Sequence, residues 1–382
     1  VEKNIIEIDG FKIDGQLIYE NDDKYGMFFS LSIRQAEYFY KLFNNQEIIH
    51  FNGVFSDKNE FTAFDSNIYN AKIDIQNKKM KYKVDIGKLY LNASNVNEEL
   101  MVKKIDVKFS SIDQWISNDE NKKIFIKQND CYITISNSFI TIEPSLIITL
   151  KQLDKILFNL RVFFEVLFLN NNVKTIEKFI YTVDDTQIEE VMRYKSEQPT
   201  KEEFLFRYDT NSIESILNRW FEAKYTYGKI FDYLSGILNE SSIVYLELKY
   251  FALAQWIEAY SREYLNETIE NNNDNTYRKN LKQLFQTKNM GEIIFGNSSK
   301  KKRDALIDQI VCYRDHLAHI NIKDDLNDTQ MNNLYEILKD MIYILLMKEL
   351  DVAIDDNRIG EIKRKYMKYK SLEASIQKCK DR

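Results

Sequence analysis

Leu150-Lys-Gln-Leu-Asp-Lys-Ile-Leu-Phe-Asn-Leu-Arg-Val-Phe-Phe-Glu-Val-Leu-Phe-Leu169 is where the chain changes its period. The run holds neither Gly nor Pro, and it reads as one long, apolar-rich helix buried in a core. Its densest part, Ile156 to Leu169, is interrupted by Arg161 and Glu165. A bilayer span needs about 20 consecutive apolar residues, so this run is too short and too charged to be one.

Before this helix the chain reads as strands. Ile5–Ile8, Phe28–Ile33, Tyr69–Ile75, Lys81–Leu91, Val102–Phe109 and Ile124–Ile126 are short runs between clusters of Asn, Asp, Gly and Ser. Cys131–Ser136 and Phe139–Glu143 look like neighbouring strands around Asn137. One helix is expected to interrupt early, over Ser32–Phe43. Short strands at this spacing imply a sandwich or a partly closed barrel. After the helix, Val173–Val183 returns to strand, and from Lys201 nearly everything follows a helical period. Helices are expected over Leu217–Leu238, Ile243–Ile269, Tyr277–Gln286, Asp304–Ile320, Leu326–Leu350 and Ile359–Gln377, with Asn271–Asn275 as a polar loop. The break at Gln198-Pro199-Thr200 is the natural boundary, since Pro disfavours helix at the residue before it and Thr caps the helix after it. The expected class is α+β: a β-rich, sandwich- or barrel-like domain over residues 1–198, ending in the helix at about 150–169, then an all-helical bundle over 199–382.

Of 382 residues, 44% are hydrophobic and 29% charged, with a formal net charge of -6. That balance speaks against a protein that coats long stretches of nucleic acid. The three cysteines, Cys131, Cys312 and Cys379, are odd in number and far apart. They form no disulfide framework by spacing and no CxxC pair for zinc, so a reducing cytoplasm is the expected compartment. No signal peptide is visible at the start and no membrane partner is expected. No Walker loop, no GxGxxG after a strand and no HExxH occurs, so neither a cofactor nor a metal is implied. Lys, Asn, Ile, Tyr and Phe are abundant, a bias expected of an AT-rich genome rather than of base stacking.

The candidate chemistry lies in Cys312-Tyr-Arg-Asp-His-Leu-Ala-His319, which holds two of the three histidines. Leu306, Ile310, Tyr313 and Leu317 form the expected core stripe of its helix. His319 and Asp315 each lie about 200° around from a stripe residue and point away from it. Arg314 and His316 flank the stripe. Asp315 and His319, at i and i+4, are neighbours on successive turns, so the carboxylate can orient the imidazole. Arg314 and His319 are roughly 140° apart on a continuous helix. They converge only if the helix ends near Ala318 or if two chains share a site. A His that moves a proton near neutral pH and an Arg that supports charge on phosphorane oxygens suit RNA cleavage through the 2′-hydroxyl, a nucleophile that DNA lacks. The Arg-x4-His spacing alone is weak, arising by chance in roughly one such chain in ten.

That segment resembles the Arg-polar-x3-His signature of HEPN domains. Phe251–Tyr260 resembles the early helix of the ApeA-like HEPN group, Trp220-Phe-Glu222 its tryptophan-containing lead-in, and Phe109–Ile116 a segment of the β-rich domain attached to it. The resemblance implies an all-helical, usually dimeric, metal-independent endoribonuclease of anti-phage abortive infection. In it the N-terminal domain senses a phage-derived trigger and the HEPN domain cuts RNA, transfer RNA being one candidate. By residue-wise match Arg314 and His319 are the catalytic candidates, Asp315 is the supporting polar residue, and His316 either assists or is tolerated. Lys300, Lys301, Lys302 and Arg303, just before the motif helix, are candidate RNA contacts or a solvated loop. The basic stretch Lys363–Lys370 reads either as an RNA contact or as the charged face of an amphipathic helix. Glu258 and Arg262, at i and i+4, read first as a surface ion pair, with Glu258 near the site as the outside reading. Two other functions stay open: a HEPN module that binds RNA or protein without cutting, and a toxin component neutralised by a partner.

Overall fold

The computed structural model describes residues 3–8, 11–20, 24–32, 49–74, 79–86, 88–110, 112–116, 121–136, 139–168, 173–191, 205–209, 212–238, 245–268, 276–295, 300–318 and 328–368. The chain separates into two compact units, residues 1–158 with 173–202, and residues 159–172 with 203–382. The first is sheet-rich and the second helical, as the change of period implied. The expected helix at Ser32–Phe43 falls, after Ser32, outside the described residues, as do Gln198–Thr200 and Asn271–Asn275.

The first unit begins with β1 (Lys3–Ile8), β2 (Phe11–Glu20), β3 (Lys24–Ser32), β4 (Ile49–Phe55), β5 (Glu60–Asp74), β6 (Lys79–Ile86) and β7 (Lys88–Leu91). Hydrogen bonding runs β4-β1-β2-β3-β6-β5, and β4 also pairs with β5. The six strands therefore close into an antiparallel barrel, with Ile5, Leu17, Met27, Phe51, Phe61 and Val84 buried. Closure needs bends, and two strands carry turn-type dipeptides in their middles. Asp14-Gly15 sits inside β2, where Gly15 pairs with both Ile5 and Phe29. Asn52-Gly53 sits inside β4, opposite Thr62 and Phe61. A strand glycine marks a bend or a close backbone approach. Asn52 is also a fastener: its Oδ1 accepts from Thr62 Oγ1 (2.9 Å) and from the Asn95 backbone N–H (2.8 Å).

Lys81–Leu91, expected as one strand, is divided. β6 pairs with β3, whereas β7 pairs with β14 (Gln187–Val191) on that side and with β5 on the other. From β14 the sheet continues through β13 (Thr175–Thr182), β8 (Met101–Phe109), β11 (Ile140–Pro144), β10 (Cys131–Ile135) and β9 (Lys122–Ile126). β10 and β11 form the expected neighbouring pair, with Ile135 opposite Ile140; Asn137 itself lies outside the described residues. A two-residue strand, β12 (Ile148–Thr149), pairs with β8, and a one-turn helix, α1 (Ile112–Trp115), follows β8. The inner face is apolar (Val102, Ile105, Val107, Ile133, Ile142, Ile180) save for Lys178, Thr182 and Glu190. Lys178 on β13 is 4% exposed. Its Nζ lies 2.7 Å from Asp154 and 2.7 Å from Glu190, its cross-strand partner. Only the Asp154 contact has hydrogen-bond geometry; the one to Glu190 acts as an ion pair. Asp154 lies on α2 (Leu150–Leu167), so the triad ties helix to sheet.

In the second unit come α3 (Ile213–Tyr227), α4 (Lys229–Leu238), α5 (Leu246–Thr268), α6 (Tyr277–Thr287), α7 (Met290–Phe295), α8 (Lys300–Ala318), α9 (Asp328–Glu349) and α10 (Asp356–Lys368). Leu217–Leu238, expected as a single helix, breaks at Gly228. That residue has φ +50° and caps α3 through its N–H on Lys224 O. Only a residue without Cβ takes that conformation cheaply, which is why glycine stops helices. Residues beyond 368 of the last expected helix are outside the described part.

Aromatic rings form the core. Trp220 is fully buried, donates Nε1–H to Asn159 O (3.0 Å), and meets Phe163 and Phe231 edge-on. Phe231 passes the contact to Trp256, whose ring stacks on Tyr260. α9 is buried on every side over Ile337–Leu338 and Asp340–Met347, the mark of a central helix. The one charge there, Asp340, is met by Arg358 (3.4 Å) and Lys365 (3.3 Å) of α10. Lys365 of the basic C-terminal stretch thus serves packing.

Candidate functional site

α8 carries the candidate motif. Lys300–Ala318 holds no Gly or Pro, and Leu306, Ile307, Gln309, Ile310 and Tyr313 are its buried stripe. The stripe stops one turn earlier than expected: Leu317, in the last turn, is half-exposed. Three contacts lock the helix in place. Tyr250 of α5 donates its hydroxyl to Ile310 O (3.0 Å). Arg278 of α6 donates Nε–H to Asp308 (2.7 Å). Tyr313 is packed into the core at 5% exposure.

Arg314 leaves this stripe sideways and its guanidinium is held at three points. Nη1 donates to Asp315 Oδ1 (2.9 Å) and Nη2 to Glu258 Oε2 of α5 (2.5 Å). The guanidinium carbon stands 5.7 Å from the centre of the Tyr277 ring. The side chain keeps 24% of its surface exposed. Partial burial works against its charge, but Asp315 and Glu258 outweigh that, so it stays protonated more firmly than an ordinary arginine. Each terminal nitrogen carries two N–H groups, so one on each is left over from these two bonds. Arg314 Nε is buried and has no hydrogen-bond acceptor among the described residues.

Glu258 is shared. Its other oxygen, Oε1, accepts from Arg262 Nη2 (3.2 Å). The expected surface pair therefore exists, but it is half of the picture: Glu258, 15% exposed in its side chain, bridges Arg262 to the motif helix. Two cations and two carboxylates, Arg262, Arg314, Glu258 and Asp315, make a cluster with no formal net charge. Asp315 points outward at 50% exposure, as its phase implied.

The remaining candidates are placed as follows. His316 is half-exposed in the last turn of α8. His319 lies outside the described residues. Lys300 and Lys302 are exposed, and the side chain of Lys301 is outside the described part. Arg303 differs from the lysines: it is 18% exposed in its side chain and bonds to Asp304 through Nε and Nη2 (both 3.2 Å). Cys312, two residues before Arg314, is disulfide-bonded. Spacing did not foretell this, because separation along the chain says nothing of distance in space. Cys131 is free and buried, its thiol pushed up to about 12 by burial. Among the described residues no helix is long and apolar enough to cross a membrane.

Glu258 and Tyr277 are the two residues the motif alone does not reach. Glu258 stands within the Phe251–Tyr260 segment, so its helix was in view; its contact across 56 residues was not. Tyr277 carries no signal beyond being an aromatic at the start of a helix.

A family model described as Apea-like HEPN matches residues 167–356. No curated protein and no solved structure matches the chain.

Proposed function

The chain carries an Apea-like HEPN domain over residues 167–356, and from that premise we propose that it is a metal-independent endoribonuclease of anti-phage defence that cleaves through Arg314 and His319. The observation that carries the reading is the state of Arg314. It is lifted off the core stripe, partly exposed, and fixed by two carboxylates that still leave a donor on each terminal nitrogen. A guanidinium held this way can meet two oxygens of one phosphate.

In the proposed reaction the 2′-oxygen of a ribose attacks the adjacent phosphorus. The new 2′-O–P bond forms and the bond to the 5′-oxygen breaks, leaving a 2′,3′-cyclic phosphate and a 5′-hydroxyl. His319 moves the proton, as imidazole does best near neutral pH. Arg314 donates to the phosphorane oxygens as their charge grows. Glu258 and Asp315 position the guanidinium. Lys300 and Lys302, exposed before α8, are the proposed backbone contacts for RNA, and Lys301 is a third by position. Arg303, engaged by Asp304, contributes less. A homodimer through the HEPN domain and a trigger acting on the sheet-rich unit complete the proposal.

A second reading has an observation of its own. The cluster around Arg314 is neutral, which favours a module that binds protein or RNA without cutting. The experiment is cleavage of total bacterial RNA in EDTA by the full chain and by His319→Ala, with RNA affinity measured beside it. For the nuclease, the variant loses cleavage by about 10²–10⁴-fold and keeps affinity. For the binding module, neither protein cuts and the variant loses affinity.

A further inference from the structure

Tyr277 is the first residue of α6 and 8% exposed. Its hydroxyl donates to Ala254 O (3.1 Å), one turn before Glu258 on α5. The next residue, Arg278, is tied to Asp308 on α8. The first turn of α6 is thus fastened to both helices that build the Arg314 cluster, and the Tyr277 side chain cannot swing away without breaking a buried hydrogen bond.

We propose that Tyr277 is a positioning residue for Arg314, its ring face supporting the guanidinium while Glu258 and Asp315 fix its two ends. Three observations converge. The ring centre is 5.7 Å from the guanidinium carbon, within the range of a cation–π contact. Arg314 Nε is buried without an acceptor among the described residues, a costly state that the electron-rich face of a ring relieves. Both carboxylates engage terminal nitrogens, so nothing else described holds the Nε side of the group. The choice of a ring has a chemical consequence. A third carboxylate there would take up another N–H and push the cluster to net negative charge, repelling phosphate. A ring holds the cation and leaves the remaining N–H donors for substrate. The consequence for cleavage rests on the ribonuclease reading; the positioning itself does not.

The test uses the full chain labelled with ¹⁵N-arginine, in wild type, Tyr277→Phe and Tyr277→Leu, with Arg314→Lys to assign the signal. In wild type the Arg314 Nε–Hε resonance is expected to be shifted upfield by the ring and to exchange slowly with solvent. Tyr277→Phe keeps that shift and Tyr277→Leu abolishes it. In RNA cleavage, Tyr277→Leu lowers kcat by about tenfold or more with KM within about twofold, and Tyr277→Phe stays within about threefold of wild type. Thermal melting verifies folding; should the leucine variant melt below the assay temperature, Tyr277→Met, which fills the space without a ring, takes its place. An Arg314 resonance that is unshifted in wild type, or unmoved when the ring is removed, overturns the proposal, as does a phenylalanine variant as slow as leucine. If wild type cuts no RNA, the ribonuclease reading fails and the resonance still decides the positioning.

Discussion

Lys178 and Arg314 are each flanked by two carboxylates, and they lead different lives. Lys178 in the sheet-rich unit sits between Asp154 and Glu190 with 5% of its side chain exposed. Arg314 in the helical unit sits between Glu258 and Asp315 with 24% exposed, and Asp315 is half in solvent. Residue type and burial together decide what each can do. Lysine is a point charge with three donors on one nitrogen, enclosed by helix and sheet, and it serves as a pin. Arginine is a flat fork whose ends are held and whose leftover donors are not all enclosed, so it is preorganised for an incoming anion. The same charge pattern is a structural tie when sealed and a candidate reaction centre when one side is left open.

The largest effect expected from breaking this contrast is in stability. Lys178→Ala strands Glu190 and Asp154 without their cation and costs about 3–5 kcal/mol, read by denaturant unfolding of the sheet-rich unit. The double variant Lys178→Met with Glu190→Leu recovers most of that loss, since an apolar pair of similar volume replaces a buried ion pair at little cost. Next comes activity: Arg314→Ala slows RNA cleavage by about 10²–10³-fold while its melting temperature stays near wild type. A variant that melts much lower and cuts normally would reverse the assignment. Smaller again is Glu258→Gln. It keeps the shape and weakens a charge-assisted bond to a neutral one, with cleavage expected to fall by roughly tenfold and Arg314 still in place.

The smallest effect is in pH. Desolvation pulls the ammonium of Lys178 toward neutrality, but Glu190 and Asp154 outweigh it and the folded group binds its proton more tightly than an unfolded lysine. A raised folded value means that the stabilisation is fully present below the unfolded lysine range of about 10.4 and is lost as pH rises through the folded value. Wild type is therefore expected to lose more stability than the Lys178→Met/Glu190→Leu variant above that range, and the two curves to run parallel between neutrality and pH 9.

The parts of this fold that were legible in the sequence are those whose information is local. The long helices announce themselves by period, and Asp315 points outward as its phase required. A sandwich or a partly closed barrel was expected, but the bounds of its strands hid behind their bends. Asp14-Gly15 and Asn52-Gly53 are the dipeptides of hairpin turns, yet both are paired inside strands, because a tightly curved barrel needs a small residue where a flat sheet does not. β14 was hidden as well: Gln187-Ile-Glu-Glu-Val191 offers too few apolar residues to stand out. At the candidate site the motif brought Arg314 into view, but the carboxylate from α5 and the ring from α6 are tertiary facts. Gly228 was visible as a glycine, though not as a helix stop, since one glycine inside an apolar period is also tolerated in a continuous helix.

The place of β13 and β14 has a consequence for how the molecule is made. They come after α2 in the chain, yet they lie between β7 and β8 in the sheet. On the ribosome, the six barrel strands are complete once β6 has emerged, but β8 has no neighbour on the barrel side until β13 has left the exit tunnel, and β7 none on its outer side until β14 has followed. For that interval β7 and β8 each present an open edge, the kind of surface on which nascent chains pair wrongly.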